Sequence, residues 1–232
     1  MPNSRQTCSP PWRRHDLLHV RPDLWATSLA RCSTAERVPL VERWADQGWP
    51  VIVRRRIEAE DARLVPVGLP LPPSAGKCRV ALQIPPGGVL QRSSPPLLET
   101  AASVSKPQWR STIAALLGLG ARTGVEPWVF GSLLWQYQTG LTYLSPSSDI
   151  DVLWPIPAGS DVLSLVFGIA DVQRDAPVRI DGEVMFSNGS AVNWRELLNA
   201  HQSPDCITVL VKTMNGVRIL DLTSLLRVEK QT

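Results

Sequence analysis

Val129-Phe130-Gly131-Ser132, followed after a helix-like run by Ser148-Asp149-Ile150-Asp151-Val152-Leu153-Trp154, is the part of this chain that decides its fold. It reads as a strand, a tight glycine-serine turn opening a helix, and a second strand that carries two acids. Gly131 lets the backbone turn sharply and approach a ligand closely. Ser132 stands where the helix begins, so its hydroxyl and the neighbouring amides face an incoming anion such as a phosphate chain. Asp149 and Asp151 are two residues apart on a strand, which places both side chains on one face, about 7 Å apart at Cα. Magnesium takes hard oxygen ligands and keeps places for water and substrate phosphate, so a pair of carboxylates suits it. A third acid would complete a two-ion site. Val178 to Phe186 reads as a third strand, whose stretch Val178-Arg179-Ile180-Asp181-Gly182-Glu183-Val184 puts Asp181 and Glu183 on the same side, and Asp181 is the preferred ligand.

Each piece also has a plain structural reading. A Gly-Ser turn before a helix is ordinarily a cap, and an Asp-x-Asp on a strand is ordinarily a solvated edge. Here Ile150, Val152, Leu153 and Trp154 make the acid-bearing strand strongly apolar, and unpaired acids in a buried strand are costly. Metal or substrate would have to compensate them.

Outward from this block, Gln108 to Leu119 spaces Trp109, Ile113, Leu116 and Leu117 as one face of a helix. Leu133 to Gln138 is expected to be a helix ended by Gly140, and Trp194 to Ala200 a short helix. Ile207 to Val211 and Val217 to Leu222 flank Asn215-Gly216, a dipeptide that favours a type I′ hairpin. Upstream, Ala35 to Gln47 looks helical, with Gly48 as its cap. Pro50 to Arg54, Ala62 to Leu69 and Lys77 to Ile84 read as short strands without intervening helices, which favours antiparallel pairing. The texture changes between Pro66 and Pro96, where eight prolines and four glycines interrupt these runs. The expected class is α+β: a small α+β domain over residues 1–95, then a catalytic domain over 96–232 with a mixed sheet covered by helices.

Composition sets the outer limits. A chain of 232 residues, 44% of them hydrophobic, can bury one large core or two small ones. No stretch approaches the roughly 20 apolar residues of a membrane span, and Met1 to Gln6 has no apolar signal region. Membrane partners are therefore not expected, and the expected location is the cytoplasm. Cys8, Cys32, Cys78 and Cys206 form no C-x-x-C pair, which points to reduced, packed thiols. A net charge of +3 is too small to imply a nucleic-acid partner, although Arg13-Arg14 and Arg54-Arg55-Arg56 could meet a phosphorylated ligand locally.

The order of Gly-Ser turn, helix, Asp-x-Asp strand and later acidic strand resembles the nucleotidyltransferase superfamily, with a longer interval between Ser132 and Asp149 than is common there. The extended block Phe130 to Gln136, Thr139-Gly140-Leu141, Tyr143-Leu144 and Ser148 to Trp154 is similar to the phosphoribosyl-dephospho-CoA transferases that serve malonate decarboxylase. So are Arg14-His15-Asp16-Leu17-Leu18, Gly48-Trp49-Pro50 and Val53-Arg54-Arg55, so the likeness covers nearly the whole chain. It implies transfer of the phosphoribosyl-dephospho-CoA group from triphosphoribosyl-dephospho-CoA to a serine of the acyl carrier protein subunit of malonate decarboxylase, with release of pyrophosphate. Two Mg²⁺ ions would be held by Asp149, Asp151 and Asp181, and the leaving group by Gly131 and Ser132. Asp181 could also accept the proton of the attacking hydroxyl.

Two other readings stay open: a nucleotidyltransferase with a different acceptor, and a non-catalytic nucleotide-binding module. His15 and His19 have the i, i+4 spacing of a helical metal pair, but capping or packing is the preferred reading. Arg54 and Arg56 alternate with Arg55 on a strand, so one pocket receives either the pair or Arg55 alone.

Overall fold

A computed structural model describes residues 12–31, 38–203 and 207–230. The first half builds a five-stranded sheet from β1 (Leu17–Val20), β2 (Val51–Val53), β3 (Val65–Pro70), β4 (Arg79–Ile84) and β5 (Val89–Ser93) in the order β4-β3-β2-β1-β5. Every pairing is antiparallel, as short strands joined by turns require. Leu17, Leu18, Val51, Val53, Val67 and Ile84 are buried. Two short helices, α1 (Pro22–Ala30) and α2 (Pro39–Glu42), accompany this sheet. The Trp25 indole donates to the Val41 carbonyl at 2.8 Å, and that of Trp44 to the Pro50 carbonyl at 2.9 Å, so neither buried ring leaves a polar atom orphaned.

The helix expected over Ala35 to Gln47 is corrected. Its first residues lie outside the described ones, α2 is a single turn, and 43–48 are turns ending at Gly48 with φ of 69°. The apolar spacing at Val38, Val41 and Trp44 serves a turn that tucks Val41 and Trp44 into the core, with Val38 packed against it. Cys78 is exposed rather than packed, because it falls in the connection before β4, while the other three cysteines lie outside the described residues.

In the second half, α3 (Leu98–Ala101), α4 (Arg110–Thr123), α5 (Gly131–Thr139), α6 (Val162–Asp175), α7 (Trp194–Gln202) and α8 (Leu222–Lys230) surround a six-stranded sheet. Its strands are β6 (Trp128–Val129), β7 (Ile150–Pro155), β8 (Ile180–Met185), β9 (Ala191–Asn193), β10 (Thr208–Lys212) and β11 (Val217–Asp221), in the order β11-β10-β9-β8-β7-β6. Only β7 and β8 run parallel; the other neighbours are antiparallel, so the sheet is mixed. The parallel pair is possible because α6 makes the crossover between its strands. It starts on an Asp161 side chain that accepts from the Ser164 amide at 3.0 Å.

The hairpin between β10 and β11 also departs from expectation. Thr213 and Gly216 close the loop through Thr213 N–H to the Gly216 carbonyl at 2.9 Å, and neither Asn215 nor Gly216 has positive φ, so the turn is not type I′. Met214 and Asn215 are its central residues, and the Arg56 amide donates to the Met214 carbonyl at 2.8 Å.

The two sheets share one hydrophobic core. Trp44 of the first half meets Trp135 on α5 edge to face, 5.8 Å between centroids, and Tyr143 Oη donates to the Pro70 carbonyl at 3.0 Å. The architecture is α+β.

Candidate active site

Strand register assembles the site. In the parallel pair, Asp151 stands opposite Asp181 and Leu153 opposite Glu183, so alternation sends Asp151, Asp181 and Glu183 out of one face. Asp149 lies one residue before β7. The Ile150 amide donates to the Arg179 carbonyl at 2.9 Å, and Asp149 Oδ2 lies 3.5 Å from Arg179 Nε. The face thus carries a row of opposed pairs: Asp149 with Arg179, Asp151 with Asp181.

The glycine-serine turn closes over this row. Gly131 has φ of 62°, a left-handed backbone that favours glycine, and a Cβ there would overlap Asp151 Oδ2 and lie 2.5 Å from Asp151 Cγ. Phe130 N–H donates to the Asp151 carbonyl at 3.2 Å, and the Ser132 amide faces the Asp151 carboxylate closely enough to lower its proton affinity. A carboxylate is an anion, and the N-terminus of α5 is a place for anions, so the Asp151 carboxylate packs against the turn expected to hold a phosphate.

Asp151 is pushed up to about 7. Burial is the main cause, followed by the negative charges of Asp181 and Asp149, while the Ser132 amide and the charge of Arg79 pull the other way. Asp181 is anchored through one oxygen, Oδ1, which accepts from Gly182 N–H at 2.8 Å and from Asn193 Nδ2 at 2.9 Å. Asn193 also caps α7, its Oδ1 accepting from the Arg195 amide at 2.9 Å.

Among the described residues no group of three or more His, Cys, Asp or Glu side chains lies close enough to form a ready-made metal centre. The three aspartates share one field without closing into a cage. The donor set still fits magnesium, which uses one or two carboxylates and fills its other places with water and phosphate oxygens. Two acids in direct register repel one another, and a buried carboxyl with a raised proton affinity is a place where a cation relieves that repulsion.

Glu183 is engaged elsewhere. Its carboxylate is met by Arg14 Nη2 at 3.0 Å, Lys212 Nζ at 2.7 Å and His15 Nε2 at 3.3 Å. Those partners hold its proton affinity well below the usual glutamate range despite burial. His15 has a left-handed backbone, φ of 73°, and its ring packs edge-on against Phe130 at 5.2 Å. His19 lies on β1, so the i, i+4 metal pair does not exist. Arg54 pairs with Glu60, and Arg56 donates to the Asp61 and Leu64 carbonyls, at 2.6 and 2.8 Å; Arg55 is exposed.

Residues 13–95 match the family described as phosphoribosyl-dephospho-CoA transferase MdcG N-terminal domain, and residues 96–223 match the corresponding C-terminal domain. The chain is 40% identical over 208 residues to a phosphoribosyl-dephospho-CoA transferase of Bradyrhizobium diazoefficiens, covering 90% of this chain and 89% of that one. It is 36% identical over 213 residues to a protein of the same name from Xanthomonas campestris, covering 91% and 95%. No solved structure matches it. Among the described residues no helix is long and apolar enough to cross a membrane.

Proposed function

Because this chain belongs to the phosphoribosyl-dephospho-CoA transferase family, and is therefore a transferase, we propose that it modifies the acyl carrier protein of malonate decarboxylase in the cytoplasm. The group moved is 2′-(5″-phosphoribosyl)-3′-dephospho-CoA, the donor is its triphosphate precursor, the acceptor is a carrier serine, and the second product is pyrophosphate. The observation that carries this reading is the direct opposition of Asp151 and Asp181 beneath the Gly131-Ser132 turn. Opposed acids beside an anion-accepting helix start are what a phosphoryl-type transfer needs.

Asp149, Asp151 and Asp181 would hold Mg²⁺. Bound there, Mg²⁺ would neutralise charge on the attacking and departing oxygens. The chain's own residues do the rest. Asp181, held by Asn193, would take the proton of the serine hydroxyl. Ser132 and the start of α5 offer donors to the phosphate chain once Asp151 turns toward a cation.

The test is direct. The protein is mixed with apo-carrier, triphosphoribosyl-dephospho-CoA and Mg²⁺, and the carrier is weighed by mass spectrometry. A gain equal to the prosthetic group, lost in Asp151→Asn, supports the reading. An unmodified carrier, or full modification by the variant, refutes it.

A further inference from the structure

A second group of charged side chains lies beside the aspartate row. Glu183 is two residues along β8 from Asp181, on the same face, and its side chain is only 7% exposed. A carboxylate offers about four acceptor positions. Arg14 Nη2 contacts both oxygens, at 3.0 and 3.2 Å, Lys212 takes Oε1 and His15 faces Oε2, so those positions are filled. Donors remain. Arg14 Nη1 is buried with no hydrogen-bond partner among the described residues, and a lysine ammonium has three donors, one of which reaches Glu183. Arg14 and Lys212 thus face one carboxylate whose acceptor positions are filled, and the buried Arg14 Nη1 is left without an acceptor among the described residues, a cost that an anion reaching it would relieve. Lys212, whose side chain is 30% exposed, is the route from solvent.

We propose that Arg14 and Lys212 form a second anion subsite, next to the aspartates, that takes a diphosphate group. Naming the diphosphate rests on the proposed transfer reaction; the subsite itself rests on the cluster. Such a group supplies acceptors to a guanidinium fork and an ammonium together, in hydrogen bonds strengthened by charge on both sides. It has two sources in the donor, the end that leaves as pyrophosphate and the diphosphate bridge within dephospho-CoA.

The test uses the full chain in EDTA, so that no metal contributes. Inorganic pyrophosphate and dephospho-CoA are titrated in parallel by calorimetry into the wild type and Lys212→Gln, with Arg55→Gln as the exposed-arginine control. At least one ligand should bind the wild type and the control equally, and Lys212→Gln about tenfold or more weakly, the scale of one charged hydrogen bond. The ligand that does so identifies the source. Because Lys212→Gln could disturb folding, the wild type is also treated with an amine reagent, and the bound ligand should slow modification of Lys212. Equal affinity in Lys212→Gln, absence of binding to the wild type, or unprotected Lys212 would overturn the subsite. If it passes while the carrier stays unmodified in the transfer assay, the function reading falls and the subsite stands; the reverse pattern separates them the other way.

Discussion

Asp151 and Asp181 stand directly opposite one another on parallel strands β7 and β8, two like charges where neighbouring side chains are closest. Burial first, and then repulsion from Asp181 and Asp149, raises the proton affinity of Asp151. A fold keeps such a pair only if something else profits from it.

Stability should report this cost. The folded pKa of Asp151, about 7, lies above its ordinary 3.8, so its stabilising protonation is complete below pH 3.8 and is lost as pH rises through 7. In EDTA at pH 8, Asp151→Asn should therefore melt higher than the wild type, by about 4 °C if about 1–2 kcal/mol of that cost is relieved, at roughly 2–4 °C per kcal/mol for a chain of this size. The gap should narrow by pH 5. Calorimetric melting at both values checks it, and a variant that melts lower at pH 8 contradicts the account.

Magnesium should act on the same charge. At pH 8 a saturating excess should raise the wild-type melting temperature by about 5 °C, since binding at 100 times Kd stabilises by about 2.7 kcal/mol. Asp151→Asn and Asp181→Asn should lose most of that rise. Near pH 6.5, binding should also expel protons from Asp151, seen as calorimetric heat that varies with buffer ionisation, and at pH 9 it should not.

Two glycines should fail differently. A Cβ on Gly182 would overlap the Val152 carbonyl oxygen, which is backbone in the neighbouring strand, so Gly182→Ala must part β7 from β8. It should lower unfolding free energy by roughly 2 kcal/mol or more in urea titration. Gly131→Ala strikes the Asp151 carboxylate and a left-handed backbone, so transfer activity should fall at least about 100-fold while most of the fold survives.

Glu183→Gln should be among the costly surface-sparing changes, because it leaves the nearly buried Arg14 and the partly buried Lys212 against a neutral group. A loss of roughly 3 kcal/mol is expected at pH 7. The folded pKa of Glu183 is depressed, so the wild-type advantage is complete above 4.5 and shrinks as pH falls below it. Denaturant titrations at pH 7 and pH 4 would show a constant difference if the cluster carried no charge coupling.

The site elements were legible where chemistry and backbone period coincide. Val129 to Ser132, the acid strand and the Asp181 strand could each be recognised from alternation and a glycine, but the register that sets Asp151 opposite Asp181 comes only from the folded pairing. What stayed hidden depends on distance along the chain. Arg14 and Glu183 are 169 residues apart, and no local pattern marks a left-handed His15 or an Arg79 whose charge reaches Asp151. The α6 crossover that makes β7 and β8 parallel was also unread, since the run after Pro157 begins with turn residues. At Ala35 to Gln47 the apolar period was real but served a turn, and at Asn215-Gly216 a strong dipeptide signal yielded to closure by Thr213 and Gly216.

Trp44 against Trp135, and Tyr143 reaching Pro70, make the two halves structurally inseparable. A break at the seam between residues 95 and 96 would strip cover from large aromatic rings on both fragments, so neither piece is a portable unit that could be shuffled into another protein. Melting should accordingly be a single cooperative event.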